Sequence, residues 1–325
     1  MSFERGFRGF ALGALGALAL LLMASSPSRA DTGVSACGML SAPGNYFLTT
    51  NLTATGTCIT VSSEGVSLDM KGHTITGNGT GDGITDGGGS FDSMAIANGK
   101  IRNFSVGIGL DTSCCVVIRN VDSSKNTDTG ILVGRCCGVL DSVTTNSNGT
   151  VGIVASDCCY TINNVQVKNN GAGGGIVAAA NGCCTALSNS TISNNGGAGV
   201  FLEGCCSFLV SSTVQQNTGD GVDMDEGDNF VVNSTAALNG GNGVHLIGDD
   251  NLVTGTNASA NTGAGIFLRD TENQITSSIA NGNQGVGADV GCPGAITGLK
   301  TKNNGGGPVN LISPSQCTQL NNKLN

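Results

Sequence analysis

The chain has 325 residues, a formal net charge of −9 and no tryptophan, and 53 of its residues are glycine. This acidity disfavours binding to nucleic acid and to anionic membrane surfaces, because like charges repel. The richness in glycine, asparagine, serine and threonine is typical of disorder, but the regular recurrence of isoleucine, valine and leucine excludes that interpretation.

Residues 1–30 predict a signal peptide. Arg5 and Arg8 form a basic segment, and an apolar segment too short for a membrane span follows, with a small-x-small cleavage pattern that ends at Ala30. Cleavage near Ala30 would change the net charge to about −11. Because no second apolar stretch is long enough to cross a bilayer, we expect a secreted or periplasmic protein without a transmembrane anchor.

A glycine recurs every 22–24 residues and opens a pattern of glycine, apolar, variable, apolar. The series is Gly107, Gly130, Gly152, Gly175, Gly199, Gly221, Gly243, Gly265 and Gly287. A fixed period of this length is typical of a solenoid. With each glycine counted as zero, the alternation at +1, +2 and +3 predicts a β-strand whose +1 and +3 side chains face inward.

Two more apolar positions recur in each repeat. The first lies near +10, at Ile118, Leu140, Ile162, Leu187, Leu209, Val231, Val253 and Ile275, and a weaker one lies near +14, at Val121, Val143, Val165 and Ile279. Each repeat therefore predicts about three short strands. No helical pattern interrupts residues 60–310, so we expect an all-β protein: a right-handed parallel β-helix of about ten coils.

The domain boundaries follow from the same pattern. We expect an N-terminal cap and first coils over residues 31–77, β-helix coils over 78–290 and a C-terminal cap over 291–325. Residues 37–77 contain "PGNYFLT" and "VSLDMKGHTITG" and are similar to the opening coils of secreted pectate-lyase-like β-helix proteins, and the later "GI-x-L…N" repeats resemble the repeats of that superfamily. The resemblance implies the fold but no single activity, since the superfamily includes lyases, hydrolases, epimerases, tailspikes and non-catalytic surface proteins.

An asparagine recurs near +18 in eight repeats. The residues are Asn126, Asn148, Asn170, Asn195, Asn217, Asn239, Asn261 and Asn283. Coils stacked about 4.8 Å apart would let each amide donate a hydrogen bond to the next, so we expect a buried asparagine ladder.

Fourteen cysteines in an exported chain predict disulfides. Cys37 with Cys58, and Cys292 with Cys317, are expected to close the two ends. The other ten form five adjacent pairs at one turn of successive coils: Cys114-Cys115, Cys136-Cys137, Cys158-Cys159, Cys183-Cys184 and Cys205-Cys206. We favour a vicinal bond within each pair over bonds between coils, which would leave one of the five coils unpaired or vicinally bonded, and over free or metal-bound thiols.

Acidic residues replace the cysteines in the later coils. Asp228, Asp250 and Glu272 occupy the aligned turn position and suggest calcium, the one cofactor that the sequence indicates, since hard oxygen ligands suit that ion. Solvated turn acids are the alternative. Asp69 and His73, in the first coils, are interpreted as structural.

The outward strand positions change character along the chain. Early coils carry Leu132, Val154, Val177 and Phe201, whereas later coils carry Glu203, Asp223, Asp225, His245, Phe267, Arg269 and Asp289. Phe201, Glu203, Asp223, His245, Phe267 and Arg269 are the candidate ligand-binding residues, and Asp223, Asp225, His245 and Arg269 the candidate catalytic ones. We expect Asp223, His245 and Arg269 to be neighbours on three successive coils, in a shallow groove.

Three functions remain open on this basis. A protein that binds or scaffolds extracellular polysaccharide or matrix is favoured, because the catalytic aspartate motifs of the superfamily's hydrolases are not found as such. A polysaccharide lyase, glycoside hydrolase or epimerase acting at the outward row is the first alternative, and a purely structural envelope protein is the second. A neutral or cationic polymer suits the acidic chain, whereas an acidic one would need a bound cation.

Overall fold

A computed structural model describes residues 31–157, 159–178, 184–313 and 316–325, and these residues contain β-strands but no α-helix. Within those ranges no helix is long and apolar enough to cross a membrane. The strands pair in parallel with the strand one coil away and form three sheets.

Sheet 1 has thirteen strands, one for each coil. They are β2 (Gly38–Leu40), β5 (Ile59–Val61), β8 (Asp82–Thr85), β10 (Val106–Leu110), β12 (Ile131–Val133), β15 (Val151–Ala155), β18 (Gly174–Ala178), β21 (Val200–Glu203), β24 (Val222–Asp225), β27 (Val244–Leu246), β29 (Ile266–Leu268), β32 (Ala288–Gly291) and β35 (Val309–Ile312). The predicted strand after each repeat glycine is therefore confirmed.

Sheet 2 has 21 strands and holds the other two strands of most coils. Its first series is β1 (Thr32–Val34), β3 (Gly44–Leu48), β6 (Val66–Asp69), β9 (Ala95–Arg102), β11 (Val116–Ser124), β13 (Gly138–Asp141), β16 (Tyr160–Asn163), β19 (Ala186–Ser188), β22 (Phe208–Val210), β25 (Phe230–Val232), β28 (Leu252–Thr254), β30 (Asn273–Thr276), β33 (Gly294–Thr297) and β36 (Cys317–Leu320). Its second series is β4 (Leu52–Thr53), β7 (Thr74–Thr76), β14 (Thr144–Asn146), β17 (Gln166–Lys168), β20 (Thr191–Ser193), β23 (Thr213–Gln215) and β26 (Thr235–Ala237). Sheet 3 continues that second series with β31 (Ile279–Asn281), β34 (Lys300–Lys302) and β37 (Lys323–Leu324).

The solenoid has about thirteen coils rather than the expected ten. The glycine signature counts only the coils from Gly107 to Gly287, whereas β2, β5 and β8 before it and β35 after it pair in the same sheet. Backbone pairing needs only extended chain in register, so coils without the signature still stack.

The inward positions form one continuous apolar core. The +1 and +3 residues of sheet 1 are buried, for example Val200, Leu202, Val222 and Met224. All eight residues predicted near +10 have no exposed surface. The prediction near +14 is wrong for Ile279, whose side chain is half-buried, while its neighbour Ala280 is buried. In the later coils the inward position that aligns with Val143 and Val165 holds a serine or threonine, such as Ser278.

The asparagine ladder is confirmed. All eight predicted asparagines are buried, and each Nδ2 donates to the Oδ1 of the next, from Asn126 to Asn283, at 2.9–3.2 Å. The backbone N of each also donates to that same oxygen, as Asn195 does to Asn217 at 3.0 Å. The ladder continues to Asn304.

The repeat glycines are required by this ladder. A Cβ added at Gly221 would lie 2.5 Å from the Asn239 Nδ2 and 2.6 Å from the backbone oxygen of Gly243. Atoms cannot approach so closely, so each coil needs glycine where its backbone passes the buried amide. The two strongest periodic signals of the sequence thus have one physical cause.

Two further polar columns line the interior. Serine hydroxyls accept from the backbone N of the preceding coil, as Ser212 does from Ser190 at 3.1 Å. In the later coils, Asn251 Oδ1 accepts from the backbone N of Asn229 and Asn273 Oδ1 from that of Asn251, at 2.9 and 2.8 Å. These columns satisfy turn N–H groups that no strand partner reaches.

The disulfides differ in part from the prediction. The bonds Cys37–Cys58 and Cys292–Cys317 close the two ends as expected. Cys114, however, is bonded to Cys136 of the next coil and not to Cys115, so the vicinal assignment is wrong for these pairs. Adjacent Cα atoms are about 3.8 Å apart, short of the usual disulfide range, whereas Cys114 and Cys136 are separated by 5.1 Å.

The remaining cysteines lie on the same turn. Cys115, Cys137, Cys184, Cys205 and Cys206 are in no disulfide within the described ranges. Cys159 lies on the turn too, and Cys158 and Cys183 are outside the described residues. Cys115, Cys184 and Cys206 have left-handed φ angles of 56°, 66° and 63°, which fixes them at equivalent positions.

Candidate functional site

The predicted outward row forms a straight line across sheet 1. Phe201 pairs with Asp223, Asp223 with His245, His245 with Phe267 and Phe267 with Asp289. Paired residues of a parallel sheet project from the same face, one strand spacing apart. All five side chains are half-buried, so the row is a shallow surface rather than a deep cleft.

Arg269 is on the coil after His245 but is not in this row. Phe267 takes the place opposite His245, and Arg269 lies two residues later, just past the end of β29, in a second outward row. That second row also contains Asp225, which pairs with Glu203. Because neighbouring strands are only about 4.8 Å apart, one ligand can contact side chains of both outward rows.

The centre of the site is a contact between His245 and Asp223. The imidazole Nδ1 lies 2.7 Å from Asp223 Oδ1, and the two side chains are each 21% exposed. The hydrogen bond to Asp223 raises the pKa of His245, against the opposing effect of burial, and the charges of Asp223, Asp220 and Asp225 raise the pKa further. The imidazole is therefore held in its charged form to higher pH than a free histidine.

Asp220 joins this pair although the sequence analysis did not select it. It precedes β24, its Oδ2 lies 3.5 Å from His245 Nδ1, and its Oδ1 accepts from the backbone N of Asn242. Burial raises the pKa of Asp220, and the nearby charge of Asp223 raises it too. The sequence does contain a signal that could have identified Asp220. It directly precedes the repeat glycine Gly221, and at that position the neighbouring coils have Ala198, Asn242 and Ala264 instead of an acid.

Phe267 and Arg269 extend the site to the next coil. The Phe267 ring meets the imidazole of His245 edge-on, with centroids 5.0 Å apart, and the Arg269 guanidinium carbon lies 5.6 Å from the Phe267 centroid. Arg269 is exposed and makes no ion pair with any described residue. The ring holds the arginine in place while its donors stay open to a ligand.

Asp225 adds a further acid at the edge of the site. Burial raises its pKa, followed by the charge of Asp223, while His245 lowers it. Three carboxylates thus surround one imidazole, which is why the local charge favours protonation.

One group of three side chains has ligand atoms close enough together to hold a metal ion: Asp220, Asp223 and His245. One atom from each lies within 4.8 Å of the others, and no other such group of three occurs among the described residues. A carboxylate, a second carboxylate and an imidazole are ligands that borderline divalent cations accept.

The acidic column lies elsewhere. Asp228, Asp250 and Glu272 are exposed at the same turn of three successive coils, with left-handed φ angles of 58°, 61° and 61°. Coils about 4.8 Å apart separate the first and third residues by about two spacings, so one ion cannot contact all three. Calcium on this column would bridge two neighbouring coils and stays a proposal.

Residues 174–324 match a family model described as "Right handed beta helix region". The described residues have the right-handed parallel β-helix fold that this model describes. No curated protein sequence matches the chain.

Solved structures share this β-helix fold. The Dettilon tailspike protein aligns with a TM-score of 0.60 at 14% identity, over 83% of this chain and 62% of the tailspike, so the chain spans less than two thirds of that protein. The A-module of the mannuronan C-5 epimerase AlgE4 of Azotobacter vinelandii aligns with a TM-score of 0.53 at 11% identity, over 87% of this chain and 89% of the module. A mutant of the periplasmic alginate epimerase AlgG gives 0.53 at 13% identity, over 88% of this chain and 77% of the epimerase. At these identities the likeness is one of fold alone.

The β-helix also has a groove in its first coils, away from His245. It encloses about 460 Å³ and is lined by residues that include Asp69, Lys71, Asn98 and Lys100. Asp69 forms an ion pair with Lys71 at 3.2 Å and accepts a hydrogen bond from Asn98, and His73 contacts Asn51. These contacts agree with the structural interpretation of Asp69 and His73.

Proposed function

We propose that this β-helix binds extracellular polysaccharide on the outward face of sheet 1, at the site formed by Asp220, Asp223, His245, Phe267 and Arg269. The carrying observation is the hydrogen-bonded acid–imidazole pair of the outward row, which lies beside the Phe267 ring and, against that ring, the Arg269 guanidinium. Sugars offer hydroxyls to the first and apolar ring faces to the second, and Arg269 adds a cation for any acidic sugar.

The shape of the surface supports this proposal. The strands of sheet 1 are parallel and regularly spaced, so the site opens onto a flat face that an extended polymer can cross. The solved structures with this fold include two proteins whose names state a polysaccharide substrate, a mannuronan epimerase and an alginate epimerase. The predicted signal peptide and the disulfides fit an exported protein.

Retention on immobilised polysaccharides tests the proposal. We expect retention of the wild-type protein on at least one member of a panel of neutral and acidic polymers, and a clear loss of retention in His245→Gln and Arg269→Gln. Arg119→Gln is the matched control, because Arg119 is an exposed arginine on sheet 2 and its loss changes the net charge equally. Absence of retention on every polymer would favour the purely structural envelope role.

Catalysis at the same site is the second candidate, and the contact between His245 and Asp223 favours it. The hydrogen bond to Asp223 raises the pKa of His245, so the imidazole keeps its proton to higher pH than a free histidine. It can donate that proton to a leaving oxygen, with Asp223 orienting the ring and Arg269 neutralising a sugar carboxylate. In that case the protein would release reducing ends or unsaturated sugars, and Asp223→Asn would slow release by at least about a hundredfold. Binding without product is the outcome that we expect.

A further inference from the structure

Three sulfur atoms meet at one turn of two neighbouring coils. Cys114 is bonded to Cys136 of the next coil, and the Sγ of Cys115 lies 3.4 Å from the Sγ of Cys114. Cys115 is exposed and forms no disulfide with a described residue, so its thiol is accessible to solvent. A thiol in contact with one sulfur of a disulfide is the arrangement from which exchange begins.

We propose that this turn is a thiol–disulfide exchange site. Cys115 loses its proton to solvent, and the thiolate attacks the Sγ of Cys114. A Cys114–Cys115 bond forms, the Cys114–Cys136 bond breaks, and the electron pair leaves on the Sγ of Cys136, which takes a proton from solvent. One disulfide and one thiol exist before and after, so no oxidant or reductant is needed.

The two isomers differ in what they hold together. The Cys114–Cys136 bond joins two coils, whereas the Cys114–Cys115 bond joins neighbours in one chain segment and releases Cys136. Adjacent Cα atoms are closer than the usual disulfide range, so the vicinal isomer is the minor one.

Tryptic mapping without reductant measures the exchange. Cleavage after Arg102, Arg119 and Arg135 puts Cys114 and Cys115 on one peptide, 103–119, and Cys136 on another. The protein is incubated at pH 7 to 9 without oxygen, and then denatured in excess N-ethylmaleimide. The vicinal isomer yields peptide 103–119 unlinked, unlabelled and two hydrogens lighter than its dithiol form, together with maleimide-labelled Cys136.

We expect both isomers in the wild-type protein, with an unchanged total thiol content. In Cys115→Ser, labelling of Cys136 should fall at least about tenfold, because its release depends on the Cys115 thiolate. Cys206→Ser is the matched control. Cys206 has the same left-handed turn position, but its neighbour Cys205 forms no disulfide with a described residue, so Cys136 labelling should not change. Absence of the light peptide at every pH, or persistent labelling of Cys136 in Cys115→Ser, overturns the proposal.

Discussion

His245 Nδ1 lies 2.7 Å from Asp223 Oδ1, and this contact joins two successive coils at the outward face of sheet 1. The pair is 22 residues apart in sequence, one repeat, so only the stacking of coils brings it together. Asp220 on one side and Phe267 on the other enclose the imidazole, which makes this contact the centre of the candidate site.

The first prediction concerns pH. The folded-state pKa of His245 is raised above the usual value for histidine, chiefly by Asp223, so folding favours the protonated ring. Its stabilisation is fully present below the unfolded pKa of about 6.5 and is lost as the pH rises through the folded value. Urea unfolding from pH 5.5 to 9 should show that His245→Gln costs more stability at the acid end. An equal cost across that range would contradict the ion-pair interpretation.

The second prediction concerns the asparagine ladder. Asn217→Ala removes the oxygen that accepts from both the backbone N and the Nδ2 of Asn195, at 3.0 and 2.9 Å. Buried donors without partners cost about 1–3 kcal/mol each, so for two donors we expect a loss of about 2–6 kcal/mol in the free energy of unfolding. Gln274→Ala, which removes an exposed amide on sheet 2, should change stability by less than about 0.5 kcal/mol.

The third prediction compares two glycines in strand β10. A Cβ at Gly107 would meet the Ser123 hydroxyl and lie 2.7 Å from the Asn126 Nδ2, whereas a Cβ at Gly109 meets nothing closer than 3.6 Å. Gly107→Ala should therefore lower the melting temperature strongly, and Gly109→Ala should leave it nearly unchanged or raise it slightly. Thermal unfolding of the two variants decides this, and equal melting temperatures would mean that the ladder does not require the repeat glycine.

The fourth prediction concerns calcium at Asp228, Asp250 and Glu272. These acids are exposed and their ligand atoms form no close group of three among the described residues, which favours solvated turn acids, so we expect EDTA and millimolar calcium to leave the melting temperature unchanged. Binding to the native state at a hundredfold excess over Kd would stabilise by about 2.7 kcal/mol, which a melting curve resolves. A calcium-dependent rise that Asp250→Asn abolishes would establish the site.

Most of the fold can be predicted from the local sequence. The spacing from Gly107 to Gly287 predicts the solenoid, the alternation after each glycine predicts the strands of sheet 1, and Asn126 to Asn283 predict the buried ladder. Such features repeat identically in every coil, so one period of backbone and core packing determines them all. The end disulfide between Cys37 and Cys58 follows from the same stacking.

The site and the disulfide of the central turn depend on tertiary structure. The aligned pattern places Asp223, His245 and Phe267 at equivalent strand positions, but it does not reveal that the Phe267 ring contacts both the imidazole of His245 and the guanidinium of Arg269. Asp220 comes within 3.5 Å of His245 because the next coil stacks beside the start of β24, and Cys114 bonds Cys136 rather than Cys115 because stacked coils bring their Cα atoms to 5.1 Å. Periodicity determines which residues recur, whereas turn geometry and coil register decide which side chains touch.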